Sequence, residues 1–465
     1  MSFLFFLFLS STLISQSFMD AISVIVLIVS LFSFFKKQIR RDLPFLKTTS
    51  LSLQSSQKNL WLVFFLSWIG VIALGLLGKE TFFQAFFEWK WVLNLYSLYW
   101  FLQQIDFLKQ STLIFPLTSR FADLKKENKN NFSRNGYSLL IYRFYPLFIV
   151  LLICFSYGSL SLFLNIDLFK QAPLTHGARF AGPFDDPMNF AHIYGMYFVF
   201  LLILLVYPWL QPSMLQKSAI AIGDFKIKLS SKLLKIDFFF WLVILLTGLS
   251  ILLSLTRGAW MGVAVSLLVV VFVANLRMGF FFLVGLTSIF ALLFQFWHSF
   301  HERILQSLNP GQSYDSERLV LWKSNWQMFL DHPFLGVGHG QYKQYLPYYF
   351  EKLNIPADHF QSHAHNQYLQ ALSNTGLIGF LFYMCFIFLM IYFSYRAFRK
   401  TKNAFFLASL AAQISFHVGA ITECNFERSK VRLVYLFFCA LTLALIQKYQ
   451  TKDLQLNVNT KGENS

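Results

Sequence analysis

Charged side chains are scarce in this sequence: they make up 13% of its 465 residues, whereas soluble globular proteins carry about 25%. Hydrophobic residues account for 56% and aromatic residues for 19%. This deficit excludes an ordinary soluble domain and predicts a membrane protein. The net charge of +17 is not read as a nucleic-acid site, because the basic residues lie in short segments between apolar runs, where they set membrane topology. No nucleic acid is expected as a partner.

Cysteine is also scarce, and a basic leader is missing. None of the spacings between the four cysteines resembles a zinc ribbon or a disulfide framework, so we interpret them as packing residues: Cys154, Cys385, Cys424 and Cys439. The chain begins with "MSFLFFLFLSSTLIS", which lacks the basic region of a cleavable signal peptide. We expect this N-terminus to be retained.

Long apolar runs are what the sequence has in abundance. Runs able to cross about 30 Å of hydrocarbon recur along the whole chain, and they predict an all-α, polytopic integral membrane protein with about 12 transmembrane helices. The predicted spans lie near residues 3–17, 20–35, 60–78, 85–104, 138–162, 189–209, 237–255, 259–276, 279–297, 376–395, 404–421 and 431–447. The first two are separated only by "SFMD" and can instead be one long span or a re-entrant pair.

The basic loops predict the orientation. Four Lys- and Arg-rich loops fall on one side of the predicted membrane, which the positive-inside rule makes cytoplasmic: 36–47, 125–136, 217–235 and 396–400. The chain then divides into transmembrane helices over 1–297 (about nine spans), a large outer-face loop over 298–375, three C-terminal spans over 376–447 and a cytoplasmic tail over 448–465. All segments that carry chemically interesting side chains emerge on the outer face.

Two arginines stand at predicted outer ends of spans. Arg179 lies in "THGARFAGPFDDPMNFAH", an irregular segment rich in glycine and proline. Arg257 lies in "SLTRGAWMG", where Gly258 predicts a tight outer turn. Either arginine can bind an anionic ligand such as a phosphate. The alternatives remain open: Arg179 can be an interfacial arginine that reaches lipid headgroups, and Arg257 can belong to a structural ion pair.

The loop 298–375 is much longer than ordinary connections, and loops of that length tend to be functional. It holds seven of the ten histidines of the chain. One stretch predicts an amphipathic helix lying along the membrane surface, through Arg318, Leu321, Trp322 and Met328. A flexible turn follows, whose backbone N–H groups can approach a phosphate, although a lone G-x-G-x-G is a weak signal; its glycines are Gly336, Gly338 and Gly340.

Three histidines near the end of this loop admit three explanations. His359 and His363 have the spacing of zinc ligands on a helix, and His365 can add a third ligand, but no nearby cysteine or glutamate completes a known motif. Each can instead be a structural histidine. One can also be a general base, since a neutral imidazole accepts a proton near neutral pH. Spacing alone does not choose among these readings.

Residues 365–379 read "HNQYLQALSNTGLIG". This stretch resembles the H-N-x-x-L-x-x-x-x-x-x-G-x-x-G signature of the O-antigen ligase and polymerase superfamily, which closes the large periplasmic loop of that family. Three further stretches are similar to the family's recurrent segments and occur in the same order: "RFAGPFDDPMNFA", "TRGAWMG" and "SERLVLWKSNWQMFLDHPFLGVGHGQY". Asn374 and Thr375 stand where the family often has an acidic residue. The resemblance covers roughly 175–445.

The resemblance implies a multi-pass glycosyltransferase of the bacterial inner membrane whose active site faces the periplasm. The donor would be a glycan on undecaprenyl diphosphate, and in the ligase branch the acceptor is a sugar hydroxyl of lipid A–core. Carried onto this sequence, Arg179 and Arg257 would hold the diphosphate and His365 would be the general base. The remaining substrate-binding candidates are Arg318, His363, Asn366 and Gly338. Arginines can stabilise the leaving diphosphate without a metal, so no metal or cofactor is expected for this inverting transfer.

Related activities remain open at this point. An O-antigen polymerase would share the donor and differ in its acceptor, and a protein O-oligosaccharyltransferase would transfer the glycan to protein. A lipid-linked sugar transporter or flippase is the alternative of a different class. Transporters concentrate polar residues within broken helices near the bilayer midplane, whereas this sequence concentrates them at one face. That distribution favours an enzyme.

Overall fold

The computed structural model describes residues 2–14, 90–105, 143–168, 171–174, 179–210, 231–308, 314–338, 340–356 and 363–462, with positions 22, 25, 26, 28 and 29. Four predicted features fall wholly outside these residues: the span 60–78, the basic loops 36–47 and 125–136, and His359. Most of the predicted span 20–35 and of the basic loop 217–235 lies outside them too. In the described part the chain is overwhelmingly helical, as the apolar runs predict.

Thirteen helices occur in the described residues. The first seven are α1 (Ser2–Ile14), α2 (Lys90–Gln103), α3 (Tyr145–Leu164), α4 (Pro187–Leu210), α5 (Ser231–Leu253), α6 (Arg257–Ala274) and α7 (Leu276–Phe296). The others are α8 (His298–Leu308), α9 (Tyr314–Asp331), α10 (Tyr342–Lys352), α11 (Gln367–Thr401), α12 (Ala404–Gly419) and α13 (Ser429–Gly462). Between α3 and α4 lies an antiparallel hairpin of β1 (Ile166–Asp167) and β2 (Ala172–Pro173), in which Asp167 is opposite Ala172.

Six of the described helices are long and apolar enough to cross a membrane: α3, α4, α6, α7, α11 and α13. Shorter apolar helices at Leu4–Leu13, Phe238–Leu253 and Ala404–Gly419 coincide with three further predicted spans. The chain is therefore a helical, multi-pass membrane protein. The total of about 12 spans stays a prediction.

The helix α12 lies at the centre of the packing. It is buried along nearly its whole length and packs against α4, α6, α11 and α13. The approach to α6 is close enough that a Cβ on Gly262 would lie 2.5 Å from the carbonyl oxygen of Ser415. Small residues at such contacts let helix backbones meet, which is how helices associate in membranes.

The helix α11 differs from the predicted span 376–395. It begins nine residues earlier, at Gln367, and continues to Thr401, with a kink at Gly376, where φ is +61°. The "GLIG" stretch, which the sequence predicts to be the start of a span, is therefore a kink inside a longer helix. The first turns were missed because their polar residues face protein rather than lipid: Gln367, Gln370, Ser373 and Asn374 are all buried.

Candidate active site

The signature histidine lies immediately before α11. Asn366 is the N-cap of that helix, and its Oδ1 accepts hydrogen bonds from the N–H groups of Tyr368 at 3.0 Å and Leu369 at 3.1 Å. His365 has φ +47°, in the left-handed region that non-glycine residues seldom adopt. The chain thus turns sharply at His365. Asn366 therefore has a structural role at the start of α11, while its role in binding substrate stays a prediction.

Contacts on both sides of His365 fix its backbone. The carbonyl of Ala364 accepts a 2.7 Å hydrogen bond from the Trp322 indole of α9. The backbone N–H of Ala364 donates to Gln370 Oε1, also at 2.7 Å. Gln367 then donates from its backbone N–H to the carbonyl of Ala420 at the end of α12, at 2.9 Å. The helix predicted through Trp322 is present as α9, while its position along the membrane surface stays a prediction. The Trp322 indole anchors the residue before the histidine.

Glu423, which follows α12, completes a buried group with two histidines. His365 Nδ1 lies 3.3 Å from Oε1 and 3.4 Å from Oε2 of this carboxylate, and His363 Nε2 lies 3.5 Å from Oε1. His365 is 6% exposed and Glu423 2%. Burial raises the pKa of Glu423, but the hydrogen bond from His365 and the charge of Arg428 together outweigh it and lower that pKa well below its usual range. The carboxylate is therefore ionised.

An ionised carboxylate can only accept hydrogen bonds, so it assigns the protons on both rings. Nδ1 of His365 must carry its proton toward Glu423, which leaves Nε2 as the nitrogen that can accept a proton. Nδ1 of His363 accepts from the His365 N–H at 3.2 Å, so Nε2 of His363 carries the proton. Burial, together with the positive groups around it, lowers the pKa of His363 to about 4. His363 is consequently neutral at physiological pH.

Arg428 connects this group to the start of α4. Its Nη2 lies 3.4 Å from Glu423 Oε2, and its Nη1 forms an ion pair with Asp186 and donates to Asn189 Oδ1 at 3.1 Å. Burial lowers the pKa of Arg428, but the two carboxylates outweigh that effect and raise it above its usual value. We refer to His363, His365, Glu423, Arg428 and Asp186 as the histidine–carboxylate network.

The same histidines bear on the zinc reading. His363, His365 and Glu423 each offer one ligand atom, and these atoms lie within 4.8 Å of one another, so the group is able to hold a metal ion. Glu423 lies 58 residues after His365, so no motif spacing in the sequence links this glutamate to the histidines. Arg428 already contacts this carboxylate, and a guanidinium beside a ligand oxygen disfavours a divalent cation electrostatically. The hydrogen-bonded network therefore fits these residues better than a metal centre does.

The two predicted diphosphate ligands lie close together where α5 ends and α6 begins. Arg179 donates from Nε to the carbonyl of Ser254 at 2.9 Å and from Nη2 to Oγ1 of Thr256 at 3.1 Å. Thr256 is the N-cap residue of α6, and Arg257 is the first residue of that helix. Arg257 donates from Nη1 to the carbonyl of Arg303 at 3.2 Å. The structure thus brings Arg179 against the residue that precedes Arg257.

The predicted turn at Gly258 was misplaced. The turn lies at Ser254–Thr256, where Leu255 has φ +51°, and Gly258 is the second residue of α6. Glycine is needed at this position for packing: a Cβ there would lie 2.2 Å from Oγ1 of Thr422 and 3.4 Å from the carbonyl of Gly419. This close approach also brings the start of α6 beside the segment that carries Glu423.

The glycine turn of the large loop has a different role from the predicted one. Gly338 donates its N–H to the carbonyl of Asn374 at 3.0 Å, and Leu377 donates to the carbonyl of Pro333 at 2.8 Å. A Cβ on Gly376 would lie 2.3 Å from the carbonyl carbon of Phe334. We call residues 333–338 with 373–378 the loop clasp. Because the Gly338 amide is used within the clasp, the geometry does not support its predicted contact with a phosphate.

Arg318 lies on α9 four residues before Trp322, so the two share a helix face. Trp322 contacts Ala364, and Arg318 is therefore on the side of α9 that faces the histidine segment. Its Nε is buried without a hydrogen-bond partner among the described residues. Its role in binding substrate stays a prediction.

Sequence reasoning missed the acidic half of the site. Glu423 and Arg428 lie in "TECNFERSK", a polar stretch between two apolar runs, and Asp186 lies in the stretch that carries Arg179. The predicted topology placed both stretches on the outer face with the histidines. That shared placement was the available signal, but no spacing rule links residues so far apart in the chain.

The fold and the site define a multi-pass membrane protein that gathers an acid–base pair and several arginines at one end of its helices. Residues 242–384 match the family model described as O-Antigen ligase, which confirms the resemblance over the segment that includes Arg257, Arg318 and His365. Arg179, Glu423 and Arg428 lie outside it.

A curated relative points to the same class. The teichuronic acid biosynthesis protein TuaE of Bacillus subtilis (strain 168) is 27% identical over 210 residues, which cover 41% of this chain and 39% of the relative. The match thus spans about two-fifths of the length of that relative. Together, the two similarities support a membrane glycan-processing enzyme of the O-antigen ligase and polymerase type.

Proposed function

We propose that this protein is an O-antigen ligase of the bacterial inner membrane that transfers a glycan from undecaprenyl diphosphate to a sugar hydroxyl of lipid A–core at the periplasmic face. The observation that carries the proposal is the buried pair of His365 and Glu423, 3.3 Å apart, in which His365 precedes a capped helix inside the family match. A carboxylate that fixes the tautomer of an imidazole makes it an effective general base.

In the proposed reaction, Nε2 of His365 takes the proton of the acceptor hydroxyl as its oxygen attacks the anomeric carbon of the donor. The bond from that carbon to the diphosphate oxygen breaks, and the electron pair leaves with undecaprenyl diphosphate. Attack opposite the leaving group inverts the anomeric configuration. Glu423 stabilises the imidazolium that forms, and this step typically contributes about 10²–10⁴-fold in rate.

Arg179 and Arg257 supply the positive charge for the leaving group in this proposal. Charge-assisted hydrogen bonds to a diphosphate strengthen as negative charge develops, so two guanidinium groups can do the work that a metal ion does elsewhere. They meet at the junction of α5 and α6, where Arg179 contacts Thr256 at 3.1 Å. The transfer proposed here is metal-independent and uses no cofactor.

A polymerase that joins glycan repeats is the second candidate. It is favoured by the similarity to TuaE, whose name refers to teichuronic acid biosynthesis rather than to an O-antigen ligase. Polymerase and ligase would share the donor, the base and the arginines, and only the acceptor would differ. Our proposal for the base and the arginines is common to both.

The two activities can be separated in vesicles that contain the purified protein and an undecaprenyl-diphosphate-linked glycan. With lipid A–core added, a ligase joins the glycan to the core, whereas a polymerase lengthens the lipid-linked glycan and leaves the core bare. Core that stays bare while the lipid-linked chains grow would reject the ligase proposal. Transfer that survives exhaustive chelation is expected, and its loss would revive the metal reading of His363, His365 and Glu423.

The role of Arg257 has its own test. Arg257→Ala should weaken donor binding about tenfold or more, because a charge-assisted hydrogen bond contributes about 1.5–3 kcal/mol. Arg277→Ala is the matched control: Arg277 is exposed at the start of α7, next to the opposite end of α6. Equal donor affinity in both variants would leave Arg257 with a structural role only.

A further inference from the structure

A cavity of about 60 Å³ lies beside Arg179 and has no part in the steps above. Its walls are the C-terminal end of α3, the β-hairpin and the segment that leads into α4. Five polar side chains line it, namely Tyr157, Ser161, Asp167, Arg179 and Asp185. These polar groups stand on walls that are otherwise largely apolar, and the cavity lies beside one of the two proposed diphosphate ligands.

The buried hydroxyl of Ser161 is the evidence that this cavity binds a ligand. Ser161 is 3% exposed, and its Oγ is buried without a hydrogen-bond partner among the described residues. A buried hydroxyl without a partner costs free energy, so such groups call for an explanation. Tyr157, one helical turn before Ser161 on α3, donates a 2.8 Å hydrogen bond to Asp167 Oδ1, which orients that carboxylate.

Two glycines fix the shape of the cavity. A Cβ on Gly158 would lie 2.4 Å from Cζ of Phe180 and 2.9 Å from Cα of Gly182, so the turn before α4 packs directly on α3. Gly182 itself has φ +55°, a conformation that suits glycine. This packing holds the segment that carries Arg179 and Asp185 against the end of α3 that carries Ser161.

We propose that this cavity binds a hydroxyl-bearing substituent of the sugar attached directly to the donor's diphosphate. The inference rests on the proposed function, because the diphosphate contact of Arg179 brings that sugar to the cavity. Carboxylates accept hydrogen bonds from sugar hydroxyls, and the Ser161 hydroxyl can both donate and accept. About 10–15 Å³ of cavity volume suffices to hold one water, so the cavity has room for a small polar substituent. In this proposal the cavity recognises that substituent and contributes to donor specificity.

The test compares two probes on the purified protein in lipid nanodiscs: bare undecaprenyl diphosphate, and undecaprenyl diphosphate carrying a single hexose. We expect the wild-type protein to bind the hexose-bearing lipid about tenfold more tightly, the equivalent of about one good hydrogen bond. Ser161→Ala and Asp167→Asn should reduce this ratio toward one while the Kd for the bare lipid stays unchanged. Ser156→Ala, an exposed serine of α3 that bonds within its own helix, should keep the ratio.

The outcomes separate the two proposals. If Arg179→Ala weakens neither lipid, the diphosphate role fails, and the cavity inference that depends on it is overturned as well. If Arg179→Ala weakens both lipids but the hexose adds no affinity to the wild-type protein, the cavity inference alone is overturned. The cavity inference alone is also overturned if Ser161→Ala and Asp167→Asn both keep the wild-type ratio of the two Kd values. An unchanged Kd for the bare lipid shows that a variant is folded. Tyr157→Phe is a milder variant that removes only the hydrogen bond to Asp167, and it should lower the ratio of the two Kd values in part.

Discussion

Two buried polar clusters in this molecule differ in charge and in position. The histidine–carboxylate network lies where helices end and contains carboxylates and a guanidinium. The second cluster lies within α11, α12 and α13, where Gln413 donates to Ser394 Oγ at 2.9 Å and to Thr442 Oγ1 at 3.3 Å. We call Ser394, Gln413 and Thr442 the neutral triad. Charges are the most costly groups to bury and neutral polar groups cost less, so charge, rather than burial, distinguishes the cluster that we assign to chemistry from the one that holds helices together.

The largest effect is expected at the base. His365→Ala should lower the transfer rate by about 10²–10⁴-fold, because it removes general base catalysis, while donor binding persists. The measurement is transfer in reconstituted vesicles beside a donor-binding assay. His332→Ala, an exposed histidine of the same loop, should leave both unchanged. Normal turnover in the His365 variant would reject the assignment of His365 as the base. The histidine–carboxylate network would then have no catalytic role to set it apart from the neutral triad.

Glu423→Gln should have the next largest effect, a fall in kcat of about 10²-fold with little change in KM. The neutral amide of glutamine stabilises the Nδ1 proton of His365 less than the carboxylate does. Replacing the carboxylate of a carboxylate–histidine pair by an amide lowers kcat strongly. Arg428→Met should act in the same direction, and Arg428→Lys should recover part of the rate by restoring the charge. Glu351→Gln, on the exposed side of α10, is the control. A KM effect without a kcat effect would assign Glu423 to binding instead.

The network should also make stability depend on pH. His363 has its pKa lowered from 6.5 to about 4, so between these values the unfolded chain binds more protons and stability falls as pH decreases. The lowered pKa of Glu423 acts in the same direction only at more acidic pH, below its ordinary value of 4.5, so it adds nothing between pH 7 and pH 5. Tm in detergent should thus be lower at pH 5 than at pH 7. His363→Gln should reduce this difference, and an unchanged difference would contradict the buried, neutral state of His363.

The smallest effect is expected in the neutral triad. Gln413→Leu should change stability by about 1 kcal/mol or less, as hydrogen bonds between membrane helices typically do, and should leave kcat unaltered. Thermal unfolding and vesicle transfer measured on the same preparation check both statements. A loss of catalysis from this substitution would show that the two clusters are coupled through α11 and α12.

Much of the fold follows from local sequence, and part of the site does not. Apolar runs predicted the positions of α3 to α7 and of α11 to α13, because a span must bury its backbone in hydrocarbon wherever it lies in the chain. The start of α11 was missed, since Gln367 and Gln370 look like loop residues until their burial against protein is known. His365 and Asn366 were found through a contiguous signature.

Long-range packing explains the errors. A turn was predicted at Gly258 and an open phosphate-binding turn at Gly338, because isolated glycines usually indicate turns. In the structure, Gly258 lies under Thr422, and the Gly338 N–H is bonded to the carbonyl of Asn374. Glu423 meets His365 across 58 positions, a distance over which a single sequence offers no spacing rule.

The loop clasp has a consequence for how this protein can vary in length. Backbone hydrogen bonds tie residues 333–338 to 373–378, and Gly336 and Gly376 allow no side chain where the strands of chain cross. An extra residue within either half would shift these bonds out of register and displace the segment that carries His365. Changes of length within either half of the clasp are therefore expected to reach the base, even though the clasp lies outside the histidine–carboxylate network.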